Sequence, residues 1–505
     1  MNRPLRRVML VLLVCFTLLF VQLNRVQVFQ TEALQDNPAN TRRIQREFDR
    51  VRGDIVTSDR VLVATTDPAP GGPFANQRRY PEGSLYAHTV GYVSFTVGAE
   101  GVERAYLDEI TGQSPAQQLS DLISILDPDP DAGTLVLTLD HGLQQVARDA
   151  LGERPGSVVA LDPRTGAVLA MYSYPTFDPN LIADNDSTAS NAAFQELRDA
   201  VGNPLRAKAY RDIFFPGSTF KVITAAAALE TGTATIHEPV FEATAEYVPP
   251  LTNRPITNFS GRECGGDLST LLVRSCNTPF AELAAERLGP FVMINQAEAA
   301  GFNSVPPFDL PGAVASNYPT LDFFGEQLQA PTAEIPAGVF ENTPLLAQTA
   351  IGQNEVQASP LEMALMVAGV ANGGIIPTPH VMAEVRGIDG RALASNEPDP
   401  WRMSMRPENA QALREALVEA DEVGEAASVP GLEIGVKTGT AQLGLDPPRS
   451  HAWIVGFAGL PGGEPQIAVA VLVEGQEGSS DQTGGLVAGP IARALFDAYV
   501  DRNAG

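Results

Sequence analysis

Three short runs in this chain carry side chains whose spacing could do chemistry. In Pro216-Gly217-Ser218-Thr219-Phe220-Lys221 a helix-breaking pair precedes a hydroxyl, and a lysine follows three positions later. With a helix starting at or near Ser218, positions i and i+3 share a face, so the Lys221 amine can reach the Ser218 hydroxyl. That hydroxyl sits at the positive end of the helix dipole, where a developing anion is stabilised. A serine is a weak nucleophile without a base. A lysine desolvated against Val222, Ile223 and the alanines that follow, near another cation, can be neutral enough to be that base. Chance alone would give a Ser-x-x-Lys about 0.15 times in this composition, so by itself the run is suggestive and an ordinary helix start is its plain alternative.

The second run is Lys437-Thr438-Gly439-Thr440, set in an apolar stretch from Ile434 to Ala441. A strand edge offers N–H and C=O groups to an extended peptide. Gly439 lets a ligand come close, and the Lys437 ammonium with the Thr438 and Thr440 hydroxyls can hold a carboxylate. A chance Lys-Thr-Gly is expected roughly 0.02 times, which makes this the most specific of the three. The third run, Ser275-Cys276-Asn277, is weak alone, since about one Ser-x-Asn is expected by chance. Only three of the 34 basic residues are lysines: Lys208, Lys221 and Lys437. A chain that uses arginine for generic positive charge keeps lysine where a compact ammonium able to lose its proton is needed. Two of the three fall inside these runs.

The elements that must position these residues are legible in outline. Leu135 to Leu139 reads as a strand, and Asp140 caps an amphipathic helix carrying Leu143, Val146, Ala147 and Ala150. Ser157–Leu161 and Val168–Tyr172 read as two strands joined by the turn Asp162-Pro163-Arg164-Thr165-Gly166. Three more strands lie near the end, Ile434–Ala441, Ala452–Ala458 and Gln466–Val473, before a helix from about Gly489 to Tyr499. Between the two sets of strands, 218–230, 268–288 and 359–371 show helical spacing, while 238–257 and 306–341 read as Pro-rich loops. Strands at both ends with helices between predict one α+β domain whose sheet is completed by both halves of the chain.

The 505 residues exceed a single hydrophobic core, so two or three domains are expected. Asp127-Pro128-Asp129-Pro130-Asp131 is stiff and acidic and marks a boundary. At the start, Arg3, Arg6 and Arg7 precede an apolar stretch from Val8 to Leu23 with no small-x-small cleavage site after it. That pattern predicts an uncleaved signal anchor in the cytoplasmic membrane, with a cleaved signal peptide as the alternative; either way the remainder lies outside the cytoplasm. The expected domains are therefore 1–24 as cytoplasmic tip and transmembrane anchor, 25–131 as a small N-terminal module with linker, and 132–505 as the main domain. Cys264 and Cys276, both on the outer side, could form a disulfide or stay as two buried thiols. The net charge of −26 argues against nucleic acid as a partner. No cofactor and no metal are called for.

Taken in order, Ser-x-x-Lys, Ser-x-Asn and Lys-Thr-Gly form the set shared by penicillin-binding proteins and class A β-lactamases. The chain resembles a class B penicillin-binding protein, of the actinobacterial penicillin-binding protein A type, over nearly its whole length. The likeness extends to Arg52-Gly53-Asp54-Ile55, Gly101-Val102-Glu103-Arg104-Ala105-Tyr106, Leu161 to Met171, Gly352-Gln353, His451-Ala452-Trp453 and Gly484-Gly485. Asn354 departs from it, standing where relatives often have a second glycine.

The resemblance implies a serine β-lactamase/transpeptidase-like fold, an antiparallel sheet with helices on both sides, behind an elongated N-terminal pedestal. It implies a peptidoglycan D,D-transpeptidase that cross-links stem peptides and is acylated by β-lactam antibiotics. Ser218 would be the nucleophile, Lys221 its base, Ser275 a proton relay and Asn277 a donor-binding amide. Lys437, Thr438, Gly439 and Thr440 would bind the terminal carboxylate, and the N–H groups of Ser218 and Thr440 would form the oxyanion hole. It also implies a polytopic SEDS-type glycan polymerase as partner, and gives His451 a structural place in its strand. A β-lactamase would carry a Glu-x-x-Leu-Asn element, which is missing, and about 100 residues before Asp127 are too few for a glycosyltransferase domain. A D,D-carboxypeptidase shares the first step, and a membrane-anchored scaffold or β-lactam sensor would not need all three runs intact.

Overall fold

The computed structural model describes residues 2–25, 48–114, 132–328, 338–387, 389–477 and 482–503. The chain forms two compact units, Met1–Val51 with Thr66–Gln77, and Arg52–Thr65 with Arg78–Gly505. In the smaller unit, helix α1 runs from Asn2 to Asn24. Its 23 residues span about 35 Å, enough to cross a bilayer core. Its apolar side chains are exposed, from Val8 at 60% to Phe16 at 71% and Phe20 at 69%, a surface suited to hydrocarbon rather than water.

In the larger unit, β1 (Ile55–Val56) pairs antiparallel with residues 62–64 and parallel with β2 (Thr134–Leu137). The other edge of β2 takes the strand Met382–Arg386, which in turn pairs with Ala392–Ser395. Residues on either side of the Asp127–Asp131 run therefore share one sheet; the run itself lies outside the described residues. Two stretches far apart in sequence meet here on a buried cation. Arg78 donates from Nε to Glu103 Oε1 at 2.6 Å and from Nη1 to the Gly53 carbonyl at 2.9 Å.

Helix α2 (His141–Leu151) begins at Asp140, whose carboxylate accepts from the Leu143 N–H at 2.8 Å, the expected cap. Strands β3 (Gly156–Leu161) and β4 (Val168–Tyr174) follow. Among the helices that follow are α3 (Lys221–Thr231), α4 (Pro360–Ala371) and α5 (Pro407–Gly424). Strands β5 (Glu433–Gln442), β6 (Ser450–Gly459) and β7 (Pro465–Val473) precede helix α6 (Gly489–Asn503). The strands assemble antiparallel in the order β5-β6-β7-β3-β4, so both halves of the chain complete one sheet. All ten residues of β6 are buried; because alternate residues point to opposite faces, both faces are covered. Helix α4, every residue of it buried, packs across β3, β6 and β7, while α2 and α6 pack on each other and on the sheet.

Three expectations need correction. The helical stretch 268–288 is not continuous: it breaks into Leu268–Val273, Thr278–Glu282 and a wider turn over Leu283–Leu288. The break falls at Ser275, whose φ of +53° is left-handed, and the next helix restarts with Pro279 in its first turn. The stretch 218–230 opens with a tight 3-10 turn, Gly217–Phe220, before α3 begins at Lys221. The stretch 238–257 is less of a loop than expected and holds short strands at Phe241–Thr244, Glu246–Tyr247 and Ile256–Thr257.

Candidate active site

Ser218 stands on the 3-10 turn, and α3 buries nine residues in a row from Lys221 to Leu229, which drags the lysine inward with the apolar run. The turn is held from several sides. Trp453 Nε1 donates to the Phe215 carbonyl at 2.9 Å, Thr219 Oγ1 to the Pro216 carbonyl at 2.8 Å, and the Gly217 N–H to the Gly352 carbonyl at 3.0 Å. Edge strand β5 lies against this turn at Gly439. A side chain there would begin 2.8 Å from the Pro216 carbonyl oxygen and 2.9 Å from Thr219 Cγ2. Glycine is needed so that the strand can close on the nucleophile's own turn, a requirement beyond the ligand approach expected from sequence.

Five polar residues of the three runs, Ser218, Lys221, Ser275, Asn277 and Lys437, converge on one hydrogen-bond network. Lys221 Nζ lies 3.0 Å from Ser218 Oγ, 2.9 Å from the Ser275 carbonyl, 2.6 Å from Asn277 Oδ1 and 3.3 Å from Ser275 Oγ. Lys437 Nζ donates to Ser275 Oγ at 2.9 Å and to the Thr438 carbonyl at 3.0 Å. The Asn277 amide nitrogen donates to the Thr257 carbonyl at 2.9 Å, which turns its oxygen toward Lys221. The Ser275 carbonyl and Asn277 Oδ1 can only accept. A neutral Lys221 amine satisfies both with its two N–H bonds and keeps its lone pair for the Ser218 hydroxyl.

The electrostatics favour that neutral form. Lys221 is fully buried, and burial, then the Lys437 charge, then the Arg262 guanidinium hold its pKa well below the ordinary lysine value. Lys437, 2% exposed, is pushed down to about 7 by burial and then by Arg262. Two ammonium groups bridged by one serine hydroxyl repel, so the first proton to leave comes from Lys221. An open cleft of about 990 Å³ runs over this network, lined by Ser218, Ser275, Asn277, Thr438, Gly439 and Thr440 among others.

Cys264 and Cys276 are bonded to each other, which ties the short strand Cys264–Gly266 to the Ser275 turn. Lys208, the third lysine, pairs with Glu474 away from the cleft. His451 is buried in β6, accepts from the Gly475 N–H at 3.1 Å, and is pushed down to about 4 by burial and then by Lys208. Asn354 lines the cleft at a φ of +65°, a conformation glycine adopts freely and asparagine tolerates better than most.

Two residues escaped sequence reasoning. Asn258, 3% exposed, accepts from the N–H groups of Asn277 (2.7 Å) and Thr278 (3.1 Å) and donates to the Thr244 carbonyl at 2.8 Å, pinning the Ser-x-Asn turn. Arg262 lines the cleft and adds a permanent positive charge near the two lysines. Neither sits in a periodic or motif-like pattern, so nothing local marks them.

A Ser–Lys–Ser network under a strand edge, on a sheet closed by both halves of the chain, defines a serine acyltransferase of the penicillin-recognising type. Residues 156–497 match the penicillin-binding protein transpeptidase domain and residues 52–136 the penicillin-binding protein A dimerisation domain, and the chain belongs to this family. It is 34% identical to the peptidoglycan D,D-transpeptidase PbpA of Mycolicibacterium smegmatis, with 99% of each chain covered. The PbpA of Mycobacterium tuberculosis is also 34% identical, again over 99% of each. Among solved structures, the ceftriaxone acyl-enzyme complex of M. tuberculosis penicillin-binding protein A matches with a TM-score of 0.79 at 33% identity, covering 90% of this chain and 99% of that one. The penicillin G acyl-enzyme of the same protein matches with a TM-score of 0.77.

Proposed function

We propose that this chain is a peptidoglycan D,D-transpeptidase in which Ser218 is acylated by the penultimate D-Ala of a donor stem peptide. Lys221 takes the Ser218 proton as Oγ attacks the carbonyl carbon. The N–H groups of Ser218 and Thr440 hold the oxyanion, each worth about 3–4 kcal/mol. Ser275 relays the proton to the departing amine as the C–N bond breaks and D-Ala leaves. An amine of a neighbouring stem peptide then attacks the ester carbonyl, its proton passes to Lys221, and Ser218 recovers its hydroxyl as the cross-link forms. Lys437, Thr438 and Thr440 bind the terminal carboxylate. β-Lactams, which present the same carboxylate and a strained amide, stop at the acyl-enzyme. No cofactor enters.

The observation that carries this reading is the Lys221 amine, fully buried, with Nζ on two obligate acceptors and 3.0 Å from Ser218 Oγ. The same reading gives residues 1–24 the role of a single-pass anchor with the catalytic domain outside the cytoplasm. The arginines in the first turns of α1, ahead of its apolar stretch, and the disulfide of the larger unit support it. Residues 25–131 then form the pedestal that sets the domain above the membrane and meets a SEDS-type polymerase. Transfer is distinguished from hydrolysis by offering a pentapeptide donor together with a labelled D-amino acid. Exchange of the terminal residue supports a transpeptidase; tetrapeptide acid as the sole product would instead identify a D,D-carboxypeptidase.

A further inference from the structure

Arg262 is a cation with no assigned task in a chain of strongly negative net charge. It lies on the stretch of cleft wall formed by residues 255–262, in the cleft that Thr438–Thr440 also line. Among the described residues its side chain is committed at one corner, where Nη2 donates to the carbonyl of Arg274, the residue before Ser275. None of the ion pairs among the described residues includes Arg262, although most arginines of known partner take a carboxylate. Its mounting is not casual. The wall turns through Ser260 at a φ of +57°, Asn258 accepts the Asn277 N–H and donates to the Arg262 carbonyl, and the disulfide two residues on fastens the segment to the Ser-x-Asn turn. Arg262 lines the same cleft as Ser218, and its charge lowers the proton affinity of both Lys221 and Lys437.

We infer that Arg262 is a specificity-determining residue: its free guanidinium edge receives a second carboxylate of the donor peptide, one upstream of the terminal carboxylate held at Lys437-Thr438-Gly439-Thr440. A guanidinium tethered at one nitrogen still presents N–H pairs that match a carboxylate, and an exposed cation with no internal acid has paid little to be available. The inference rests on Ser218 being the acylated residue, and its consequence is a preference for donors whose upstream carboxyl group is free over those in which it is amidated.

The test uses two β-lactams that differ by one side-chain carboxylate, benzylpenicillin and carbenicillin, on the detergent-solubilised full chain and its Arg262→Gln and Arg262→Glu variants. Removing the Arg262 charge changes acylation by both drugs through the lysines, so the readout is the ratio of the two second-order rates. That ratio, carbenicillin over benzylpenicillin, should fall about fivefold in Arg262→Gln and further in Arg262→Glu, as expected for a charge-assisted pair that is partly in water. The same variants should lose the preference between free and amidated donor peptides. A ratio unchanged in both variants, with both drugs slowed alike, overturns the subsite and leaves Arg262 a purely electrostatic neighbour. Failure of wild-type chain to be acylated by benzylpenicillin at all would refute the Ser218 reading instead.

Discussion

Replacing Lys221 by arginine keeps a positive charge at the head of α3 and removes the ability to lose it. In the native site the amine is fully buried, 2.9 Å and 2.6 Å from two oxygens that only accept, with Ser218 Oγ at 3.0 Å as its third partner. A guanidinium has no lone pair to offer the hydroxyl at any attainable pH. General-base assistance, worth about 10²–10⁴ in rate, is lost outright; about 10³, or roughly 4 kcal/mol of activation free energy, is the expected central value. The assay is the second-order rate of acylation by a fluorescent penicillin, followed in stopped flow with the full chain in detergent. Because a bulky guanidinium could distort the site, Lys221→Met is run beside it, and thermal melting of both reports whether they fold. Both folded variants should acylate about a thousandfold more slowly. A folded Lys221→Arg that reacts within tenfold of wild type would refute the assignment of lysine as the base.

Three further outcomes follow from the same geometry. With Lys221 depressed by burial and Lys437 pushed down to about 7, acylation kcat/KM should rise as Lys221 sheds its proton and fall above about pH 7 as Lys437 loses the charge that holds the carboxylate. The falling limb of kcat should lie higher, since a bound carboxylate holds the Lys437 proton; a profile flat to pH 10 would contradict this. Asn258→Ala strips the Asn277 and Thr278 N–H groups of their acceptor and should cost about 2–4 kcal/mol in denaturant unfolding, with acylation at least tenfold slower; unchanged acylation would show that the Ser-x-Asn turn holds itself. Gly439→Ala puts a methyl 2.8 Å from the Pro216 carbonyl oxygen and should slow acylation about a hundredfold, whereas near-normal rates would mean that β5 has slack against the Ser218 turn.

What the sequence made legible is the chemistry carried by residue type at short spacing. Ser218 and Lys221 are three apart on one helical turn, and Lys437 to Thr440 sit on one strand, so a linear reading finds each pair. The sheet was legible too, because β3, β4, β5, β6 and β7 are apolar runs bounded by Gly and Pro. What stayed hidden depends on the chain returning upon itself. The kink at Ser275 breaks a stretch of helical spacing: Pro279 cannot continue a helix from before it, and bonds from Asn258 and Lys221 fix where the turn falls. Gly439 showed its need only once Pro216 lay against it. Asn258 and Arg262 act across a fold that joins residues near 260, 275 and 437, and no local pattern announces such a meeting. The choice between bonded and free cysteines likewise waited on whether Cys264 and Cys276 face each other.

The central claim is that Ser218 is the nucleophile. Incubating the full chain with a fluorescent penicillin, digesting it and sequencing the labelled peptide by mass spectrometry tests this most directly. The expected result is a single covalent adduct on Ser218, absent from Ser218→Ala; an adduct elsewhere, or none with folded wild-type chain, would contradict it.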